Sequence, residues 1–241
     1  RRVRRPSLRA ACAAQLAVEA AAVEFNEVRG RLPYIRWGYT PASPSLWQAI
    51  TSTFMHGGVM HLIGNMWYLF LAGALVERSW GSRSFAAKYL LSGIFAVFAH
   101  QASAMGSPIP LVGASGAVSA LLGAALVTHP NVEVKIGYFF LVHFRPYWGT
   151  FDARLMFAVG AWFVMQLVGV WRGGSGVAFW AHIGGFVLGA GFTWLFARWG
   201  WVHTEARDIE AEVAENVARV RSVAGAAERH ALVEPGAGIL F

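Results

Sequence analysis

Five long apolar segments follow residue 54 and limit what this chain can fold into. They cover residues 55–76, 85–105, 111–128, 155–171 and 177–199. A helix needs about 20 mostly apolar residues to cross a bilayer, and each segment is close to that length. A bilayer core offers no hydrogen bonds to an exposed backbone, so helices are expected in these segments. The sequence therefore predicts an all-α, polytopic transmembrane helical bundle with five visible spans.

The composition agrees with a lipid environment. Charged residues make up 14% of the chain and hydrophobic residues 56%, whereas soluble domains carry about 25% charged residues. The net charge of +7 is concentrated in residues 1–9 and in short loops between apolar segments. That distribution is typical of membrane topology and not of a basic binding face. The lipid bilayer is therefore an expected partner, and nucleic acid is not.

The chain divides into three regions. Residues 1–45 combine a helix-prone stretch with a loop that is rich in proline and aromatic residues. We expect an amphipathic helix there, in water or on the bilayer surface. Residues 46–200 contain the spans and form the membrane domain. Residues 201–241 are a polar tail, predicted to begin as an aqueous helix and to end in disorder.

Positive charges mark one side of the predicted bundle. They follow the first, third and fifth spans, whereas the other connections carry almost none. The charged positions are Arg78, Arg83, Lys135, Arg145, Arg154 and Arg198. The positive-inside rule places these loops in the cytoplasm. We therefore expect a multi-pass protein of a bacterial inner or plasma membrane, with the starts of the first, third and fifth spans on the opposite face.

Polar residues interrupt three of the spans near that opposite face. His61 and Asn65 lie four residues apart, so they share one helix face of the first span. Ser115 lies near the start of the third span and His182 near the start of the fifth. Each also has a structural interpretation, because serine packs membrane helices together and His61 with Asn65 can cross-link them. An intramembrane histidine is nevertheless a functional candidate by default.

Ser115 and His182 together suggest nucleophilic catalysis. A serine hydroxyl becomes a nucleophile when a base within about 2.6–3.2 Å accepts its proton. The two residues can meet only if their helices approach closely. Small residues that permit this are present, since Gly116 follows Ser115, and Gly185 and Gly189 share a helix face with His182.

Donors for an oxyanion are available at the same depth. A tetrahedral intermediate needs hydrogen-bond donors for its negative oxygen. His61, Asn65 and the backbone N–H of Ser115 can supply them. No Asp or Glu lies in the outer half of any predicted span. A third member of a triad is therefore not expected, and His182 is predicted to be oriented by packing alone.

The order and spacing of these residues resemble the signature of the rhomboid family. The pattern comprises His56, His61 and Asn65, then Gly113, Ser115 and Gly116, then Ala181, His182, Gly185 and Gly189. The resemblance covers residues 47–199. It implies an intramembrane serine endopeptidase that needs no metal or other cofactor. The substrates implied are single-span or membrane-anchored proteins, cleaved near or within the bilayer.

The resemblance also implies a role for each residue. Ser115 is then the nucleophile and His182 the general base, while His61 and Asn65 help to form the oxyanion hole. The supporting residues are His56 at the mouth of its helix, Gly113 in the turn that holds Ser115, and Gly116, Gly185 and Gly189 where helices pack.

Three departures from the family pattern stand out. The family core has six spans, so a first span is expected before residue 1 or is replaced by another element. Some members carry an aromatic residue where this chain has Ser119, and an arginine where it has Gln48. Neither position belongs to the dyad, but the first bears on the orientation of the histidine and the second on the anchoring of the loop.

Other functional classes remain open at this level. A catalytically silent relative that only binds membrane helices is the main alternative. A small-solute transporter is a second, although the chain lacks the paired, symmetric halves that transporters favour. A metal site is a third, in which His56, His61 and His182 supply the nitrogens. Catalytic zinc sites usually include a carboxylate as ligand or nearby partner, and none is visible here.

Overall fold

The computed structural model of the chain describes residues 8–173, 176–205, 208–209, 211–219 and 221. Helices dominate it. The α-helices are α1 (Leu8–Arg31), α2 (Pro33–Trp37), α3 (Leu46–Thr51), α4 (Val59–Trp80), α5 (Ser82–Ser103), α6 (Ser115–Thr128), α7 (Leu155–Arg172) and α8 (Phe179–Arg198). A short 3₁₀ turn covers Ser52–Phe54, and two strands, β1 (Glu133–Val142) and β2 (Arg145–Arg154), separate α6 from α7. The described residues between 205 and 221 are also helical, whereas the disorder predicted for the end of the tail concerns residues outside the described part.

Each of the five predicted spans forms a helix, α4 to α8. Within the described residues, α4, α7 and α8 have the length and composition needed to cross a membrane. Helix α5 is as long as α4 but more polar. Helix α6 has 14 residues and is about 21 Å long at 1.5 Å per residue. It is therefore shorter than the predicted third span.

Glycines explain why two of these helices begin later than the hydropathy predicts. Helix α4 starts after Gly57-Gly58, and its other end is closed by Gly81 at φ +74°. Helix α6 starts only at Ser115, because Gly113 has φ +133° and Leu111 pairs with Tyr39 in an isolated antiparallel bridge. Apolar residues 111–113 therefore precede the helix as a non-helical segment, and Ala114 is its N-cap.

Helix α6 lies at the centre of the bundle. Eleven of its residues are buried, so the other helices surround it. Its closest neighbour is α8, where a Cβ added to Gly185 would overlap the carbonyl oxygen of Gly116, and one added to Gly189 would overlap that of Ala120. Gly116, Gly185 and Gly189, which the sequence predicts to permit close packing, thus lie where the backbones of α6 and α8 meet.

A β-hairpin occupies the charged connection between the third and fourth predicted spans. Strands β1 and β2 are antiparallel, with Glu133 opposite Arg154 and Val142 opposite Arg145. The segment is rich in β-branched and aromatic residues, which favour strands. The lysine and arginines of the segment indicate topology, whereas the residues between them carry a separate, local preference for strands.

The chain before α4 is anchored to the bundle. The hydroxyl of Tyr39, which is buried, lies 3.0 Å from Gln101 Oε1 on α5. The side-chain amide of Gln48 donates to the carbonyl oxygens of Ile35 and Arg36 at 3.3 and 3.2 Å. Gln48 therefore ties α3 to α2 at the position where some family members carry arginine.

Candidate active site

The turn before α6 presents Ser115 at the first position of the helix. The N–H of Gly113 donates to the carbonyl oxygen of Ser52 at 2.9 Å, which ties the turn to the 3₁₀ segment. Gly113 has a positive φ that favours glycine. A Cβ there would lie 2.7 Å from the ring of His61. A side chain at position 113 would therefore fill the space between His61 and Ser115.

Ser115 and His182 are in hydrogen-bond contact. The distance from Ser115 Oγ to His182 Nε2 is 2.9 Å, and the two residues are 67 positions apart in the chain. Ser115 is at the start of α6 and His182 in the first turn of α8. The close packing of these two helices at Gly116 and Gly185 holds the side chains at this distance.

Helix α4 places a second histidine on the other side of Ser115. The N–H of Gly57 donates to His61 Nδ1 at 3.4 Å, so Nδ1 is the acceptor and Nε2 carries the proton. A hypothetical Cβ built on Gly113 would lie 3.0 Å from His61 Nε2 and 3.5 Å from Ser115 Oγ. A donor N–H and the serine oxygen therefore border one small space.

Asn65 and His56 complete this side of the site. Asn65 is buried and donates through Nδ2 to the carbonyl oxygen of His61 at 3.0 Å. An amide nitrogen carries two hydrogens, so one donor remains after this bond. The His56 ring contacts His61 edge-on, with centroids 5.3 Å apart.

A cavity of about 500 Å³ joins these groups. Ser115, His182, His61 and Asn65 all line it. Most of its remaining lining is apolar, from α4, α6, α7 and the segments before α6 and α8. A mostly apolar cleft with a few convergent polar groups is the usual form of a small binding or catalytic site.

One polar partner of His182 was not predicted from the sequence. Gln166 Oε1, on α7, lies 2.8 Å from His182 Nδ1. The expectation that packing alone orients His182 is therefore wrong. Asp and Glu are the usual third members of a triad, and a single glutamine in an apolar helix has an ordinary structural explanation. The available signal was that Gln166 is an uncharged polar residue in the middle of the fourth predicted span.

Ser119 has no aromatic ring to pack on His182, but rings from other elements lie near this histidine. Ser119 Oγ donates to the carbonyl oxygen of Ser115 at 2.6 Å, within its own helix. The rings of Trp162 and Phe179 have their centroids 6.2 and 6.5 Å from that of His182. Aromatic contact with His182 therefore comes from α7 and from the start of α8.

The donor geometry does not support the alternative of a shared metal. Among the residues that the structure describes, no three His, Cys, Asp or Glu side chains are grouped so that they could hold a metal ion. His56 and His61 are adjacent, but His182 Nε2 is directed at Ser115 Oγ. The three histidines therefore do not form one ligand set.

Several known proteins are similar in sequence to this chain. A match to the Rhomboid domain family covers residues 43–199. RHOMBOID-like protein 4 of Arabidopsis thaliana is 32% identical over 163 residues, which are 65% of this chain and 36% of that protein. Rhomboid protease GluP of Bacillus subtilis is 41% identical over 80 residues, 33% of this chain and 15% of GluP. Rhomboid protease GlpG of Haemophilus influenzae is 23% identical over 173 residues, 70% of this chain and 76% of GlpG.

The matched region contains the whole site. The aligned part of the chain spans well under half the length of GluP and of RHOMBOID-like protein 4. The family match nevertheless covers more than half of this chain and includes α3 to α8. Together with the apolar helices, it identifies an integral membrane protein. The chain belongs to the rhomboid family.

Proposed function

We propose that this protein is an intramembrane serine endopeptidase that cleaves membrane-anchored proteins through a Ser115–His182 dyad. The contact between Ser115 Oγ and His182 Nε2, 2.9 Å long and open to a cavity, is the observation that carries the proposal. A hydroxyl paired with an imidazole nitrogen at this distance is the arrangement that nucleophilic acyl transfer requires.

The reaction begins when a substrate carbonyl enters the cavity. His182 Nε2 accepts the hydroxyl proton as Ser115 Oγ forms a bond to the carbonyl carbon. When the tetrahedral intermediate collapses, the C–N bond breaks and His182 returns that proton to the leaving amine. Water then attacks the acyl-enzyme, with His182 again accepting and returning a proton, and the acid product leaves Ser115 free.

The negative oxygen of the intermediate needs donors that are already in place. His61 Nε2–H borders the space beside Ser115 Oγ, and Asn65 lines the same cavity. The N–H of Ser115 adds a backbone donor at the start of α6, where the helix dipole favours negative charge. We assign His61, Asn65 and this N–H to the oxyanion hole, with His56 and Gly113 supporting them.

The setting of the site limits the substrate class. The cavity lies among helices long enough to cross a bilayer, so a substrate segment must approach through or beside the membrane. We therefore propose single-span or membrane-anchored proteins as substrates. The loop charges support a bacterial inner or plasma membrane, and residues 46–200 are proposed as the catalytic domain, between an N-terminal region and a polar tail.

Purified protein in liposomes provides the test. Wild type is expected to cleave a single-span substrate with small residues near its outer end, and EDTA is expected to leave the rate unchanged, because no metal takes part in the proposed steps. Cleavage products are measured by mass spectrometry with and without chelator. Loss of cleavage in EDTA, with recovery on added Zn²⁺, would contradict the proposal. An inert wild type that still binds the substrate helix would favour a catalytically silent relative.

A further inference from the structure

Gln166 is buried in an otherwise apolar helix. It is 7% exposed, whereas its neighbours Met165 and Leu167 point outward and are exposed. A buried amide is costly unless its donors and acceptor are bonded. The two bonds that Gln166 makes therefore explain how α7 tolerates it.

These bonds determine which way the amide faces. Gln166 Nε2 lies 3.2 Å from the carbonyl oxygen of Trp162. A carbonyl oxygen only accepts hydrogen bonds, so the NH₂ group must be on that side. Oε1 consequently faces His182 Nδ1 at 2.8 Å and accepts its proton. His182 therefore carries its hydrogen on Nδ1, and the lone pair of Nε2 is directed at Ser115 Oγ.

We propose that Gln166 is a positioning residue that fixes both the tautomer and the ring orientation of His182. The inference rests on the proposed function. Serine proteases with a triad use a buried carboxylate for this purpose. A neutral amide supplies the same acceptor without placing an unpaired charge in a membrane helix, which would be costly. The bond to Nδ1–H also remains when Nε2 holds the serine proton.

Removing the acceptor tests this role. Gln166→Leu is expected to lower kcat by about 10- to 100-fold, the effect of losing one well-placed hydrogen bond in the transition state, with little change in KM. The rate of fluorophosphonate labelling at Ser115 is expected to fall by the same factor. Gln166→Glu keeps an oxygen facing Nδ1 and is expected to restore most of the labelling rate. Gln166→Asn retracts the amide by one methylene and is expected to label as slowly as Gln166→Leu. It keeps a polar side chain, so it tests the role separately if Gln166→Leu impairs folding.

Gln101→Leu is the matched control. Gln101 also cross-links two segments, through Tyr39 and the carbonyl oxygen of Pro41, but it does not contact the dyad. It is expected to lower thermal stability and leave the labelling rate of the folded protein unchanged. The positioning role is overturned if the Gln166→Leu and Gln166→Asn proteins are labelled by the fluorophosphonate and cleave substrate at the wild-type rates, including the case in which only their thermal stability falls. An inert wild type would instead contradict the proposed function itself.

The β-hairpin carries a second, independent inference. Its base is polar, with Lys135 Nζ and Asp152 Oδ1 in an ion pair at 2.9 Å. Beyond this pair, exposed apolar side chains project from both faces, because side chains alternate between faces along each strand. The exposed apolar residues are Tyr138, Phe139, Phe140, Leu141, Val142, Phe144, Tyr147, Trp148 and Phe151. Phe144 at the tip is 99% exposed.

Such a hairpin is poorly suited to water. The described part of the chain adds no third strand to it, and a two-stranded hairpin is at best marginally stable alone. Its base is fixed to a membrane helix, because the N–H groups of Leu155 and Met156 donate to the carbonyl oxygens of Val132 and Pro130 at 2.8 and 3.1 Å. The aromatic surface thus begins where the lipid-facing surface of α7 begins.

We propose that the hairpin lies in the interfacial layer of the bilayer, on the leaflet where α6 ends and α7 starts. Aromatic rings favour that layer. Arg145, exposed beside the tip, suits the anionic headgroups of the cytoplasmic leaflet. A strand of this length reaches about 33 Å. If the hairpin pointed into water, Phe144 would be far from any apolar surface, whereas a hairpin immersed in the interfacial layer has lipid against both faces.

A depth measurement tests this directly. Cys12 is the single cysteine, so Cys12→Ser permits one new label. An NBD group on Phe144→Cys, in phosphatidylcholine–phosphatidylglycerol vesicles, is expected to be quenched by brominated lipids, at about 5–10 Å below the headgroup boundary. The control is the same label on Glu212→Cys, an exposed position in the polar helical tail, which is expected to escape quenching. Equal quenching at both positions would overturn the proposal in favour of nonspecific contact with lipid. Protection of residue 144 that depends on protein concentration, and not on brominated lipid, would overturn it in favour of contact with a second copy of the chain.

Discussion

Replacing Ser115 by alanine is expected to lower the rate of substrate cleavage in vesicles by about four to six orders of magnitude. The reason is that the acyl-enzyme cannot form without the hydroxyl, and only transition-state binding remains. His182→Ala is expected to cause a loss of similar size, because Ser115 then lacks its proton acceptor at 2.9 Å. The double variant is expected to be no slower than either single one, since the two residues act as a unit.

Ser92→Ala is the control for this result. Ser92 is a buried serine of α5 outside the cavity lining, and its variant is expected to cleave within a few fold of wild type. All variants are compared at equal folded concentration, measured by thermal unfolding in detergent. Residual cleavage in Ser115→Ala above one per cent of the wild-type rate would remove Ser115 as the nucleophile.

Loss of an oxyanion donor is expected to have the next largest effect. Removing one such donor typically lowers kcat by about 10²- to 10³-fold. Asn65→Ala and His61→Ala are each expected to show a loss of this size with KM little changed, because the donors act on charge that exists only in the transition state. Single-turnover cleavage in liposomes, over a range of substrate densities, separates the two constants.

The structure also predicts how the two donors combine. Asn65 Nδ2 is bonded to the backbone of His61, so the residues are coupled. The double variant is expected to lose less than the product of the single losses. A kcat within threefold of wild type in both single variants, with the fold intact, would exclude His61 and Asn65 from the oxyanion hole and leave the Ser115 N–H as the remaining donor.

Hydropathy and residue spacing were sufficient for the helical framework. Every predicted span is a helix, since a long apolar run has few other ways to bond its backbone. The helix starts were less predictable. Hydropathy does not distinguish a non-helical apolar segment from a helix, so it extends the third span back to residue 111, whereas the helix begins at Ser115. The positive φ of Gly113 is a local feature that an averaged property cannot reveal.

The candidate site divides in the same way. Ser115 and His182 were identified because their chemistry is unusual in a membrane helix and because glycines permit their helices to meet. Gln166 was missed because its role depends on the rotation of α7 against α8, which the sequence does not encode in any short motif. The hairpin is hard to predict because its strand-forming residues lie between charged residues, and such a charged connection is typical of a loop between two membrane spans.

The central claim is that His182 activates Ser115. The most direct test is to treat the protein in liposomes with a fluorophosphonate and to locate the adduct by peptide mass spectrometry. The account predicts an adduct on Ser115 in wild type, none in Ser115→Ala, and labelling slowed by orders of magnitude in His182→Ala. An adduct on another serine, or labelling of Ser115 at the wild-type rate without His182, would contradict it.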